Sequence, residues 1–239
     1  MKDKPKYFNF PITLLNGIFE DKVRVLDDII YFALYAHSLK MDADELYNNT
    51  ELSKFKSASE YYGVTLGGNE QSIKSKLKQG KQLSDSIPKK SPRVGVNIQI
   101  WWDFYKNDKS EFDIASLCAF LALKSILGEK PYCKTNNLYL WSRMTGNGKS
   151  IKDISELPEV VQKYANEYQT VKLKTALRNG WGLITYSRYT RGFYVSFKLN
   201  LPALVMEAEK RRKSTKEKQY RQREKDVVRL VLQTLNNTL

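Results

Sequence analysis

Gln169, Lys172, Lys174, Thr175 and Arg178 crowd a stretch in which Leu173, Ala176, Leu177 and Gly180 recur at helical spacing. That spacing turns Gln169, Lys172, Thr175 and Arg178 toward solvent or onto the flanks of the helix. Ammonium and guanidinium groups neutralise phosphate oxygens, and amides and hydroxyls exchange hydrogen bonds with base edges, so this mixture suits contact with duplex DNA. Directly afterwards, Arg188, Tyr189 and Arg191 fall near the tip of a two-strand pattern, where a phosphate or the minor groove would be met. A second set, Ser72, Ser75, Lys76, Lys78 and Gln79, lies outside Ile73 and Leu77 on another helical pattern. A third, Arg211 and Arg212, opens the run EKRRKSTKEKQYRQREK, polar on all sides and basic, as a phosphate-tracking arm would be. An ordinary surface helix or hairpin with solvated charges would show the same residues at each place.

Catalytic chemistry finds less support. The stretch GNGKS at residues 146–150 ends like a phosphate-binding loop, but the full pattern needs a glycine where Arg143 stands and an apolar strand leading in. It reads as a basic turn. His37 is the single histidine and follows an apolar run, so a packing role at a helix end is expected, and histidine-rich metal sites are excluded. Cys118 sits in an apolar helix and Cys133 in a polar stretch, which predicts two reduced thiols rather than a disulfide framework. Asp108, Glu111 and Asp113 are close in sequence, yet no base, nucleophile or metal partner accompanies them. The chain is therefore read as a non-enzyme that holds neither metal nor cofactor.

The elements that must position these residues follow from periodicity. Phe8, Phe10, Ile12 and Leu14 alternate in a strand that Pro11 confines to a sheet edge. A broad apolar helix spans about residues 23–39, and a second, over 51–62, ends at Gly63. Asn69 caps the helix bearing Ser72 to Gln79. Val94 to Phe104 alternate as a strand, although Ile98, Trp101, Trp102 and Tyr105 also fit a helix. A long apolar helix over 113–127, a short one over 136–144, a loop over 145–156 and a turn of helix after Pro158 come next. The helix over 168–179 is expected to stop at Asn179 and Gly180, ahead of strands over 183–189 and 193–199. After Pro202 one long helix is expected, with Val228, Val231, Leu232 and Leu235 as a narrow apolar stripe for docking.

Lysine and arginine total 40 against 26 aspartates and glutamates in 239 residues, a formal charge of +14 that favours an anionic partner. Neither a long apolar run nor a lipidation signal points to membrane, and the start MKDKPKYFNF lacks a secretory pattern, so a cytoplasmic protein is expected. A weak echo between residues 8–39 and 96–127 suggests related halves. The expected fold is α+β and helix-dominated: two tandem winged-helix (helix-turn-helix) domains over residues 1–107 and 108–202, then a basic helix or tail over 203–239.

In helix order, wing and size, residues 7–200 resemble the tandem winged-helix replication initiators of plasmids and phages, and less closely phage replisome organisers. The resemblance implies sequence-specific binding of double-stranded DNA at origin repeats, recruitment of a replicative helicase, and monomer or dimer states with different roles; separately, the apolar stripe of the C-terminal helix suits a homodimer or docking on the core. The long basic helix after Pro202 and residues 145–156 depart from that pattern. A transcriptional regulator of a mobile element, or a structural or interaction protein of a phage or cellular assembly, would fit the same composition.

Overall fold

Two helices that are apolar on nearly every side, α1 (Lys22–Ser38) and α5 (Glu111–Leu127), occupy the centre of the computed structural model. A helix with one apolar stripe lies on a surface, whereas one apolar all round is enclosed. Accordingly Val25, Leu26, Ile29, Phe32 and Leu34 of α1, and Leu117, Cys118, Leu121 and Leu123 of α5, are buried. The structure describes residues 5–41, 50–187 and 192–236 and is helix-dominated with two small antiparallel sheets, an α+β arrangement.

Around α1, the order is β1 (Tyr7–Pro11), α1, α2 (Glu51–Tyr62), α3 (Glu70–Ser86), β2 (Arg93–Asn97) and α4 (Ile98–Lys106). Strand β1 pairs antiparallel with β2, Phe8 standing opposite Val96. The rings of Phe8 and Phe10 meet fully buried Trp101 from α4 at 6.2 and 5.8 Å between centroids. Asp21 caps α1 by accepting from the Arg24 amide, and Gly80 lets α3 cross α1 closely, since a Cβ there would lie 2.5 Å from the Tyr31 carbonyl oxygen.

Around α5, the order is α5, β3 (Cys133–Thr135), α6 (Asn137–Met144), α7 (Glu159–Gln162), α8 (Glu167–Trp181), β4 (Ile184–Tyr186) and β5 (Phe193–Ser196). The sheet runs β3-β5-β4, with Val195 flanked by Cys133 and Thr185. Ser110 and Asp113 close a reciprocal capping box at the start of α5. Helix α5 packs on α6, α8 and β2, so one apolar cluster runs through both groups of elements. The last helix, α9 (Leu201–Asn236), seats Leu204 and Ala208 and packs on β4 and β5. From Lys213 to Leu230 every residue is exposed. No helix among the described residues is long and apolar enough to cross a membrane.

Most helices fall within a residue or two of the expected positions, and four boundaries differ. The first strand, expected to carry Ile12 and Leu14, ends at Pro11, and Ile12–Leu15 form a 3-10 helix that keeps Ile12 and Leu15 buried. The strand expected through Phe104 ends at Asn97, whose side chain accepts from the Gln99 amide and starts α4; Trp101 and Phe104 then bury as a helical pair. Helix α8 passes through Asn179 and Gly180 and stops at Gly182, which is left-handed at φ 67°. Trp181 thereby reaches Phe120 of α5, ring to ring at 4.2 Å, a tertiary contact that outweighs the local stop signal. The two strands after α8 are also shorter than their alternation suggests, covering 184–186 and 193–196.

Candidate nucleic-acid interface

Helix α8 begins at Asn166, which accepts from the Gln169 amide, and is held to the core by Leu173, Leu177 and buried Thr170, whose hydroxyl donates to the Tyr164 carbonyl. Burying this side fixes the opposite one toward solvent. Lys172, Thr175 and Arg178 are exposed there, and Gln169 is half-buried at the flank. Tyr168, 74% exposed, and Val171, 57% exposed, join them on the same face at helical spacing, a contribution the sequence reading missed. Val171 is out of phase with Leu173 and Leu177, and that mismatch was the available signal. Arg178 has no ion-pair partner among the described residues; Lys172 has a ring contact, its ammonium 4.8 Å from the centre of Phe112.

Lys174 is turned the other way. Its ammonium lies 3.6 Å from the centre of the Phe193 ring and donates to Asn137 at 2.9 Å, joining α8 to β5 and α6. Burial pulls its pKa down to about 8. The hairpin-tip residues Arg188, Tyr189 and Arg191 lie outside the described residues. Gly192, at φ 108°, immediately precedes the return strand β5, and its missing side chain admits the Thr135 carbonyl of β3.

The set on α3 is placed differently. Ser72, Ser75, Lys76 and Gln79 line a groove of about 450 Å³ together with Asp21, which caps α1, and Arg24, Asp27 and Tyr31 of α1. Gln79 donates to Asp28 at 2.6 Å, and Lys76 donates to the Gly67 carbonyl at 2.8 Å. Lys78 alone of that set stands outside the groove and is exposed. Carboxylates from α1 thus face the polar side of α3, and two of its donors, Lys76 and Gln79, already have partners within the protein. On α9, Arg211 is exposed and Arg212 pairs with Glu209 at 3.0 Å, while Glu209 also accepts from the Tyr186 hydroxyl of β4 at 2.7 Å.

No family model, curated protein or solved structure matches this chain.

Residues with other chemical potential are absorbed by packing. The GNGKS turn follows helix α6 rather than a strand, and the carbonyls of Gly148 and Lys149 accept from Arg143 and Ser142. A phosphate cradle needs amide hydrogens pointing inward, so these inward carbonyls are the wrong polarity. Arg143 itself, 2% exposed, meets the Tyr139 hydroxyl and ring, a clamp within α6 that no motif signals. His37 stacks on Tyr61 at 4.5 Å, and burial, then Lys40, lowers its pKa. Cys118 and Cys133 are free thiols, and burial raises Cys118 to about 12. Glu111 accepts from Tyr164 and pairs with Lys163, and Asp113 closes its capping box. No group of three or more histidine, cysteine or carboxylate side chains among the described residues is placed to hold a metal.

Proposed function

We propose that α5, β3, α6, α8, β4 and β5 make a winged-helix domain, with α8 as the recognition helix and the β4–β5 hairpin as its wing. The protein then acts as a sequence-specific double-stranded DNA-binding protein, a plasmid- or phage-type replication initiator or replisome organiser at origin repeats. The observation that carries this reading is the connectivity: after α8 the chain forms a hairpin whose second strand, β5, lies between β4 and β3. Packing on α5 pins the inner side of α8 and leaves Tyr168, Val171, Lys172, Thr175 and Arg178 on an open outer face. A recognition helix needs such a face, because only an unobstructed row of side chains enters the major groove. Phosphate binding falls to Lys172 and Arg178, and base contact to Thr175, Gln169 and the apolar pair.

In this reading residues 1–107 form a winged-helix-like unit in helix order, with α2 and α3 as its helix-turn-helix. Its sheet pairs β1 with β2, and one strand rather than a hairpin follows α3 before α4 begins. The carboxylates of Asp21 and Asp27, which share the groove with Ser72, Ser75, Lys76 and Gln79, make α3 the lesser contributor. Residues 203–239 supply a basic arm, and exposed Val228 on α9 belongs to the expected stripe through which two copies would pair, whose other side chains, Val231, Leu232 and Leu235, lie outside those described. A replicative helicase is the expected protein partner, and the reading requires no cofactor or catalysis.

The test selects duplexes bound by the full chain from random and source-genome fragments at near-physiological salt. A repeated motif bound about a thousandfold more tightly than scrambled competitor supports the reading. Its location, at an origin or at a promoter, separates an initiator from a regulator of mobile-element genes. Salt-sensitive binding with no motif sinks sequence recognition and favours an assembly role.

A further inference from the structure

Beside the α1–α3 groove, and sharing Asp27, Tyr31 and Lys76 with it, lies a cavity of about 270 Å³. Its far wall is α4, which contributes Trp102, Tyr105 and Lys106. The Trp102 and Tyr105 rings stand nearly perpendicular, 5.4 Å apart at 88°, and give the cavity a flat-sided aromatic lining. The Tyr105 hydroxyl donates to one oxygen of Asp27 at 2.9 Å, leaving the second oxygen with no partner among the described residues. The Tyr31 hydroxyl is also without a hydrogen bond among them. Burial, then Asp27, raises its pKa to about 12, so it remains a neutral group able to donate. Two ammonium groups frame the site: Lys76, bound to the Gly67 carbonyl, and exposed Lys106, 5.4 Å from the Trp102 ring centre.

These groups narrow the chemistry of a ligand. A purely apolar molecule would leave the Asp27 oxygen dry and unpaired, which is costly. A simple amine would satisfy Asp27 but meet two lysines, and a bare phosphate would satisfy the lysines but meet Asp27. A flat ring carrying an amino donor at one end and negative charge at the other answers all three demands. We propose that this cavity binds a nucleotide unit whose base bears an exocyclic amino group. The base lies against Trp102, Tyr105 and Tyr31, its amino group donates to Asp27, and its phosphate meets Lys106 and Lys76. Stacking on aromatic walls is the general means of holding an unpaired base. Thymine, which has no amino group and places carbonyls on both sides of its N3–H, is disfavoured by the carboxylate. The site is separate from the outer face of α8 and does not depend on it.

The experiment titrates the full chain by calorimetry with guanosine, cytidine, adenosine and thymidine monophosphates, and with single-stranded mixed-base and oligothymidylate strands. Amino-bearing nucleotides or strands bind more tightly than their thymine counterparts. Asp27→Asn keeps an acceptor for Tyr105 and weakens that binding by about tenfold or more, as expected for a hydrogen bond to a charged group. Lys106→Ala, at an exposed position, weakens binding of both base types. Lys172→Ala combined with Arg178→Ala leaves it unchanged, which separates this site from the duplex interface. Preference for the monophosphate identifies a free nucleotide as the ligand, and binding of the strand alone identifies single-stranded nucleic acid. Equal affinity for thymine and amino-bearing forms, an unaltered Asp27→Asn titration in a folded variant, or no binding of either form overturns the proposal.

Discussion

At the scale of single residues, placement separates cations that sequence treats alike. Lys172, Lys174 and Arg178 read as one basic set, yet two face solvent and one lies over Phe193. Replacing Lys172 and Arg178 together with alanine weakens duplex binding and lowers the salt slope by about 2, measured from affinities across salt concentrations. Thr175→Ala relaxes preference at one base position and leaves that slope alone, which selection with the variant reads directly. Lys174 has a folded pKa of about 8, below the ordinary lysine value, so the unfolded chain binds more protons between the two. Stability therefore rises with pH through that window, and the full penalty of the buried charge applies below it. Lys174→Met removes the penalty and stabilises the fold at neutral pH by on the order of 1 kcal/mol, because the ring and amide contacts offset part of it. Denaturant melts of both proteins at pH 7 and pH 10 check the sign; a less stable variant at pH 7 refutes the assignment.

At the scale of elements, much was legible because caps and periodicity agree. Gly63 ends α2, Asn69 starts α3, and Leu173 with Leu177 fixes the buried side of α8. What stayed hidden needed a neighbour to settle it. Residues 94–104 fit both a strand and a helix by period, and the choice came from the Asn97 cap and from the space Trp101 fills beside Phe8 and Phe10. The groove enclosing Ser72 and Gln79 and the meeting of Asp27 with Tyr105 are pairings between distant segments. Periodicity along one element carries no information about them. Asn97→Ala is expected to cost about 1 kcal/mol through the lost cap. Gly80→Ala costs about 1–3 kcal/mol, since α3 must move off the Tyr31 carbonyl. Chemical denaturation quantifies both, and a neutral Gly80→Ala would show that the two helices separate easily.

At the scale of the whole molecule, a packed body carries a helix that mostly leaves it. The 36 residues of α9 extend about 54 Å at 1.5 Å per residue, and beyond Arg212 the described side chains touch solvent. Removing residues 213–239 leaves the melting temperature of the body unchanged, while duplex affinity and its salt dependence fall and the order of preferred sequences is kept. A lowered melting temperature would show that the arm supports the fold. The pairing of β1 with β2 has a consequence for synthesis. Tyr7 finds its strand partner at Asn97, so the first sheet cannot close until the chain has grown through α1, α2 and α3. At roughly 5–20 residues per second, the nascent chain carries Phe8 and Phe10 for several seconds before the strand that covers them exists.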